Sequence, residues 1–185
     1  MSTTMKTLST VAASALTASV LALAGGAAAA TTTITPDPIG DMDHGADIVS
    51  VKVVNDQSVR VVLKAVDLVP SYQSGAGVKI YFDTDPRDRG PEYAFLGGLF
   101  DGTDYGVVAV DGWKVPKYPT TVGKFYIMKL DYEKDVAKIR ISRAALGRPG
   151  AVRVAVRTSG EQPNGDYVHD WLGGRREFTP WIARG

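Results

Sequence analysis

Cysteine is absent from the 185 residues, and histidine occurs only twice, as His44 and His169. The lack of cysteine excludes disulfide bonds and thiol chemistry. Neither the Gly-x-Ser-x-Gly motif of a nucleophile elbow nor the His-Glu-x-x-His motif of a zinc protease occurs. We therefore assign no catalytic residues from the sequence and leave open whether the protein is an enzyme.

An excess of charge of one sign is also lacking. Lys6 is the only charged residue before position 31, so residues 31–185 carry 20 basic and 20 acidic side chains. Proteins that bind nucleic acids or anionic membranes usually carry a surplus of positive charge. The balance therefore predicts no nucleic-acid partner.

Long apolar runs are confined to the first 30 residues, which have the features of a secretory signal peptide. Lys6 gives a positive start, residues 11–24 are mostly apolar, and Ala28, Ala29 and Ala30 are small enough for cleavage. Polar interruptions and two following glycines argue against a membrane anchor. We predict a signal peptide over residues 1–30 and a secreted single domain over residues 31–185, with no membrane span after cleavage.

Valine is abundant in the remaining chain, where it outnumbers leucine by 20 to 7 and often alternates with polar residues. This pattern is typical of half-buried strands. The predicted strands are Asp47–Val54, Ser58–Val66, Val78–Thr84, Tyr93–Phe100, Tyr105–Val110, Lys124–Tyr132, Val136–Ser142, a strand around Val152–Val156, and a terminal strand over Arg176–Ile182. Between Gly160 and Arg176 we expect a loop, and we expect Trp181 in the core.

One short helical turn is predicted at Ser142–Leu146, with Ser142 as its N-cap and Gly147 as its end. Many short strands and almost no helix favour an all-β fold. We predict an antiparallel β-sandwich of jelly-roll-like architecture.

Aspartate outnumbers glutamate by 16 to 4, and one dense group precedes the first predicted strand. Asp41, Asp43 and Asp47 could place several carboxylate oxygens within one loop. Calcium takes six to eight oxygen ligands and tolerates irregular geometry, so these three residues are candidate metal ligands. The alternative is a series of turns stabilised by aspartate side chains.

A second acidic group follows the predicted strand Val78–Thr84. Asp83 and Asp85 have the spacing that places side chains on one face of a strand, where like charges repel. The nearby Arg87 and Arg89 could neutralise them in a surface loop. Alternatively, the group could bind a metal or ligand, or Glu92 could form the carboxylate pair of a glycosidase with Asp83 or Asp85.

Several segments carry a resemblance to known proteins. They are Asp37–Ile48, Phe82–Tyr93, Ala144–Gly147 and Val152–Thr158. In these segments the chain resembles exported actinobacterial β-sandwich proteins, which are similar to family-9 carbohydrate-binding-module-like and DOMON-like jelly rolls. The resemblance implies a calcium site near the first strand, at Asp41, Asp43 or Asp47.

Aromatic residues in predicted loops are the remaining candidates for ligand binding, namely Trp113, Tyr167 and Trp171. Exposed rings could stack on sugar faces, whereas rings that fold back would cap one end of the sandwich. We predict an exported non-catalytic binding module, stabilised by calcium, whose partner is a polysaccharide or cell-wall glycan. The alternatives are a carboxylate-based hydrolase centred on Asp83 and a protein-interaction module that uses an exposed sheet edge.

Overall fold

The computed structural model describes residues 32–123 and 125–185, so the predicted signal peptide lies outside the described residues. The described part of the chain consists mainly of strands. They are β1 (Thr32–Pro36), β2 (Asp47–Asn55), β3 (Ser58–Val66), β4 (Gly77–Asp83), β5 (Tyr93–Gly98), β6 (Tyr105–Ala109), β7 (Tyr126–Asp131), β8 (Val136–Ser142), β9 (Ala151–Glu161), β10 (Tyr167–Trp171) and β11 (Ile182–Ala183).

These strands form two antiparallel sheets that pack face to face. The first sheet has the order β1-β2-β3-β8-β7, and the second has the order β10-β9-β4-β5-β6, with β11 paired to β9. The prediction of an all-β antiparallel sandwich is confirmed. Among the described residues, no helix has the length and hydrophobicity needed to cross a membrane.

The core between the sheets follows from the alternation of side chains along each strand. In the first sheet Val51 and Val53 of β2 are fully buried, whereas Lys52 between them is exposed. In the second sheet Phe82 and Phe95 are fully buried and face the same core. Period-two alternation therefore places one apolar face of each sheet inside.

The predicted turn at the end of β8 is confirmed as a 3-10 helix over Arg143–Leu146. The Ser142 side chain accepts a hydrogen bond from the backbone N–H of Ala145, and Gly147 ends the turn in the left-handed region with φ = 72°. A second 3-10 turn at Tyr72–Ser74 was not expected from the sequence.

The C-terminal part of the chain differs from the prediction in two ways. The expected loop after Gly160 contains β10, and the expected terminal strand is reduced to Ile182–Ala183. The Thr179 backbone N–H donates to the Val154 carbonyl at 2.8 Å, but the Val154 N–H donates to the Thr179 hydroxyl rather than to a backbone carbonyl, and the following Pro180 has no N–H to donate. A regular strand ladder therefore begins only after this point.

Trp181 also lies outside the core, contrary to expectation. The guanidinium carbon of Arg153 lies 4.7 Å from the Trp181 ring centroid and 4.5 Å from that of Phe178. Arg153 belongs to the outer face of β9, because the alternate residues Val152 and Val154 belong to the core. Both aromatic rings therefore cover the outside of the second sheet.

Candidate functional site

Three carboxylates from distant parts of the sequence meet at one edge of the sandwich. Asp37 directly follows β1, Asp41 lies in the loop before β2, and Asp170 belongs to β10. One carboxylate oxygen of each lies within 4.8 Å of the other two. We call these three residues the acidic cluster.

Two members of the acidic cluster connect the sheets by accepting backbone hydrogen bonds. Asp170 is only 4% exposed, and its Oδ2 accepts from the N–H of Ile48 in the first sheet at 2.7 Å. Asp37 accepts from the N–H of Gly173, which follows β10 of the second sheet. The carboxylates therefore stabilise the contact between the two sheets as well as forming the cluster.

Asp47 lies next to the acidic cluster and adds a fourth negative charge. It is 6% exposed, and its Oδ2 accepts a hydrogen bond from the N–H of Gly40 at 2.7 Å. Its other oxygen, Oδ1, and Oδ2 of Asp37 are both buried without a hydrogen-bond partner within the described part of the chain. Buried carboxylate oxygens without a partner are energetically costly, so these two atoms are suited to binding a cation.

The electrostatic environment also favours a cation. Burial raises the pKa of Asp170 to about 6, and the neighbouring charges of Asp37, Asp41 and Asp47 contribute to that increase. Burial likewise raises the pKa values of Asp37 and Asp47, and Asp41 adds to both shifts. A positive ion among these groups would favour their charged forms and relieve their repulsion.

The structure brings together only some of the predicted metal ligands. Asp41 belongs to the acidic cluster and Asp47 lies beside it, whereas Asp43 is exposed and is not one of the three clustered residues. Asp37 begins the segment Asp37–Ile48 that carries the resemblance, but it is not among the metal ligands predicted from the sequence. Asp170 was missed because it is 122 residues from its partner Ile48 and lies in a segment predicted to be a loop.

The second acidic group, Asp83 and Asp85, does not belong to the acidic cluster and forms contacts with arginines. Asp83 is fully buried, and its Oδ2 accepts from Nε and Nη2 of Arg153 at 2.8 and 2.6 Å. Asp85 instead pairs with the exposed Arg87, whose hydrogen bonds lower the pKa of Asp85 to about 2. The two aspartates therefore have different partners, and Arg153 rather than Arg87 or Arg89 neutralises Asp83.

Glu92 also has a local role. Its Oε2 accepts from the backbone N–H of Thr84 at 2.6 Å and from the Thr84 hydroxyl at 2.8 Å. A glycosidase needs one carboxylic acid with a raised pKa beside an ionised partner. The contacts of Asp83 with Arg153 and of Glu92 with Thr84 give the hydrolase alternative no support.

Two of the three predicted ligand-binding aromatics meet on the outer face of the second sheet. The ring centroids of Trp113 and Trp171 are 5.9 Å apart, and both rings pack against Tyr81. Trp113 also packs against Phe178 at 5.1 Å. Both tryptophans are half-buried, so neither ring is fully exposed to solvent. We call Tyr81, Trp113, Trp171 and Phe178 the aromatic cluster.

Tyr167 is the most exposed of the three predicted aromatics. It begins β10 and is 59% exposed, and its hydroxyl donates to Oε2 of Glu161 at 3.0 Å. Tyr167, His169 and Trp171 alternate with core-facing residues of β10, so they share its outer face. Tyr167 extends this face toward the rim of the sandwich.

The fold and the acidic cluster define an antiparallel β-sandwich with four neighbouring carboxylates at the junction of its sheets. No model of a known protein family matches the chain. No curated protein is significantly similar to it.

Proposed function

We propose that the protein is an exported, non-catalytic binding module, that calcium stabilises its sandwich, and that its partner is a polysaccharide or cell-wall glycan. The observation that carries the proposal is the convergence of Asp37, Asp41 and Asp170, with buried partnerless oxygens on Asp37 and Asp47. The features of residues 1–30 support export, and the aromatic cluster supports glycan binding.

Calcium fits this donor set better than other common ions. Carboxylate oxygens are hard ligands, and the four neighbouring aspartates provide them. Calcium binds carboxylates in flexible geometry, whereas magnesium requires a nearly ideal octahedron and zinc prefers histidine and cysteine ligands. Because the carboxylates join the two sheets, a bound ion would stabilise the folded state.

The calcium site is tested by thermal melting of the purified protein with calcium and with a chelator. We expect a higher midpoint with calcium, since a ligand that binds only the folded state stabilises it by mass action. Asp41→Asn should abolish most of this increase, because Asp41 is an exposed member of the acidic cluster.

Asp43→Asn is the matched control, because Asp43 is an exposed aspartate in the same loop but outside the acidic cluster. This variant should retain the calcium-dependent increase. Equal midpoints with and without calcium, together with no bound calcium by elemental analysis, would exclude the site.

Glycan binding is tested by retention on immobilised polysaccharides. We expect Trp171→Ala to weaken retention, because Trp171 is half-buried in the aromatic cluster and still reaches the surface of the second sheet. Tyr118→Ala is the control, since Tyr118 is 83% exposed and forms none of the aromatic contacts of that cluster. Equal retention of both variants and the wild type would contradict the proposal.

A further inference from the structure

One row of side chains crosses the outer face of the second sheet. Trp171 of β10 pairs in register with Arg157 of β9, which pairs with Lys79 of β4, which in turn pairs with Leu96 of β5. Directly opposed residues in antiparallel strands have neighbouring side chains on the same face. Two cations, Arg157 and Lys79, therefore lie side by side between an aromatic and an aliphatic residue.

This pair of like charges is unfavourable in the protein alone. Arg157 and Lys79 are both half-buried, and neither forms a salt bridge with a carboxylate of the described residues. The Nε atom of Arg157 is buried and has no hydrogen-bond partner there. Like charges placed opposite each other destabilise a sheet, and an unsatisfied charged donor adds to this cost.

The direction of the pKa shift of Lys79 agrees with this placement of two positive charges side by side. Burial lowers the pKa of Lys79, and the charge of Arg157 lowers it further. Burial lowers the pKa of Arg157 as well, whereas the neighbouring Tyr81 acts in the opposite direction.

We propose that Arg157 and Lys79 bind an oxyanion, and that the ligand of the proposed binding module is therefore an acidic saccharide bearing a carboxylate, sulfate or phosphate group. The planar guanidinium of arginine donates parallel hydrogen bonds to such groups, and lysine adds a point charge. The Trp171 ring, whose centroid lies 5.7 Å from the Arg157 guanidinium carbon, offers an apolar surface beside the anion. This inference rests on the proposed function and specifies its ligand.

The test is a calorimetric titration of the purified protein with glucuronate and with glucose, which differ in the carboxylate. Sulfate and phosphate are titrated separately to identify the anionic group. We expect glucuronate, sulfate or phosphate to bind. Glucose should bind about tenfold more weakly or less tightly still, because it cannot form the hydrogen bonds that a charged group accepts from Arg157 and Lys79. Arg157→Gln and Lys79→Gln should each weaken anion binding by about tenfold.

Arg140→Gln is the matched control, since Arg140 is an exposed arginine on β8 of the other sheet. It should leave anion binding unchanged. Thermal melting checks the fold of each variant, and Lys79→Met should melt no lower than the wild type because it removes one of two adjacent like charges. Loss of anion binding by this variant with an unchanged or higher midpoint supports the site.

Three results would overturn the inference. The first is absence of binding by all three anions, and the second is binding of glucose as tight as that of the anions. The third is a loss of affinity in Arg140→Gln equal to that in Arg157→Gln, which would indicate general surface attraction. The titration uses small ions and needs no polysaccharide or calcium, so its failure is distinguishable from failure of the retention and melting experiments of the proposed function.

Discussion

At the scale of single residues, two buried aspartates show how the neighbouring side chains decide the role of a carboxylate. Asp83 is neutralised by two hydrogen bonds from Arg153. Asp170 accepts a single backbone hydrogen bond and faces three other carboxylates, so its pKa is raised to about 6. Asp83 is therefore part of an ion pair, whereas among the described residues no cationic side chain forms a salt bridge with Asp170.

The ion pair of Asp83 gives a prediction for stability. Arg153→Met should lower the free energy of unfolding by about 3 kcal/mol, because it leaves a fully buried carboxylate without its partner. Urea denaturation measures this change. Arg87→Met is the control and should have little effect, since its partner Asp85 lies at the surface. Similar losses in both variants would contradict the assigned role of Arg153.

At the scale of secondary-structure elements, the accuracy of the sequence prediction depends on how regularly apolar residues alternate. The boundaries of β3 and β8 agree with the prediction, because valine, leucine, isoleucine or alanine occupies every inward position. In β10 one of the two inward positions is Asp170, so the apolar pattern is broken and the segment resembles a loop. The residue that makes β10 hard to predict is also a member of the acidic cluster.

The positions of the aromatic residues are also difficult to predict from the local sequence. Trp113 and Trp171 were assigned to loops because Gly, Pro and charged residues surround them in the sequence. Trp171 instead ends β10, and Trp113 lies in the segment after β6 that packs against Tyr81. Their proximity depends on which strands are neighbours in the second sheet, and local sequence does not encode that order.

At the scale of the whole molecule, the raised pKa of Asp170 predicts that the stability of the folded state depends on pH. Without calcium, the pKa of Asp170 is about 6 in the folded state and near 3.8 in the unfolded state. Asp170 therefore keeps its proton to a higher pH when the protein is folded. The folded state therefore binds more protons between these values, and the stability contributed by this group falls as pH rises from about 4 to about 6. Asp37 and Asp47 shift in the same direction.

We therefore expect the calcium-free protein to melt at a higher temperature at pH 5 than at pH 7. Calcium should reduce or reverse this difference, because the ion competes with protons for the same oxygens. Scanning calorimetry at the two pH values, with chelator and with calcium, measures the effect. Asp170→Asn should reduce the dependence and leave the part that comes from Asp37 and Asp47. A calcium-free wild type with equal midpoints at both pH values would contradict the assignment.

Residues 31–185 have a formal net charge of zero, but the positive and negative charges are not evenly distributed over the molecule. Four aspartates gather at one edge of the sandwich, while Arg157 and Lys79 lie together on the outer face of the second sheet. Total charge is a sum over the sequence and contains no information about distance. Local potentials depend on which charges the fold brings together, so a balanced chain can still present separate sites for a cation and an anion.

The amino-acid sequence by itself determined the fold class, most of the strands and the capped turn at Ser142, because side-chain alternation and capping act between residues that are close along the chain. Only the tertiary structure decided that Asp170 joins Asp37 and Asp41, and that Arg157 lies between Trp171 and Lys79. These contacts come from the pairing order of strands and the packing of two sheets, which bring together residues that are far apart in sequence.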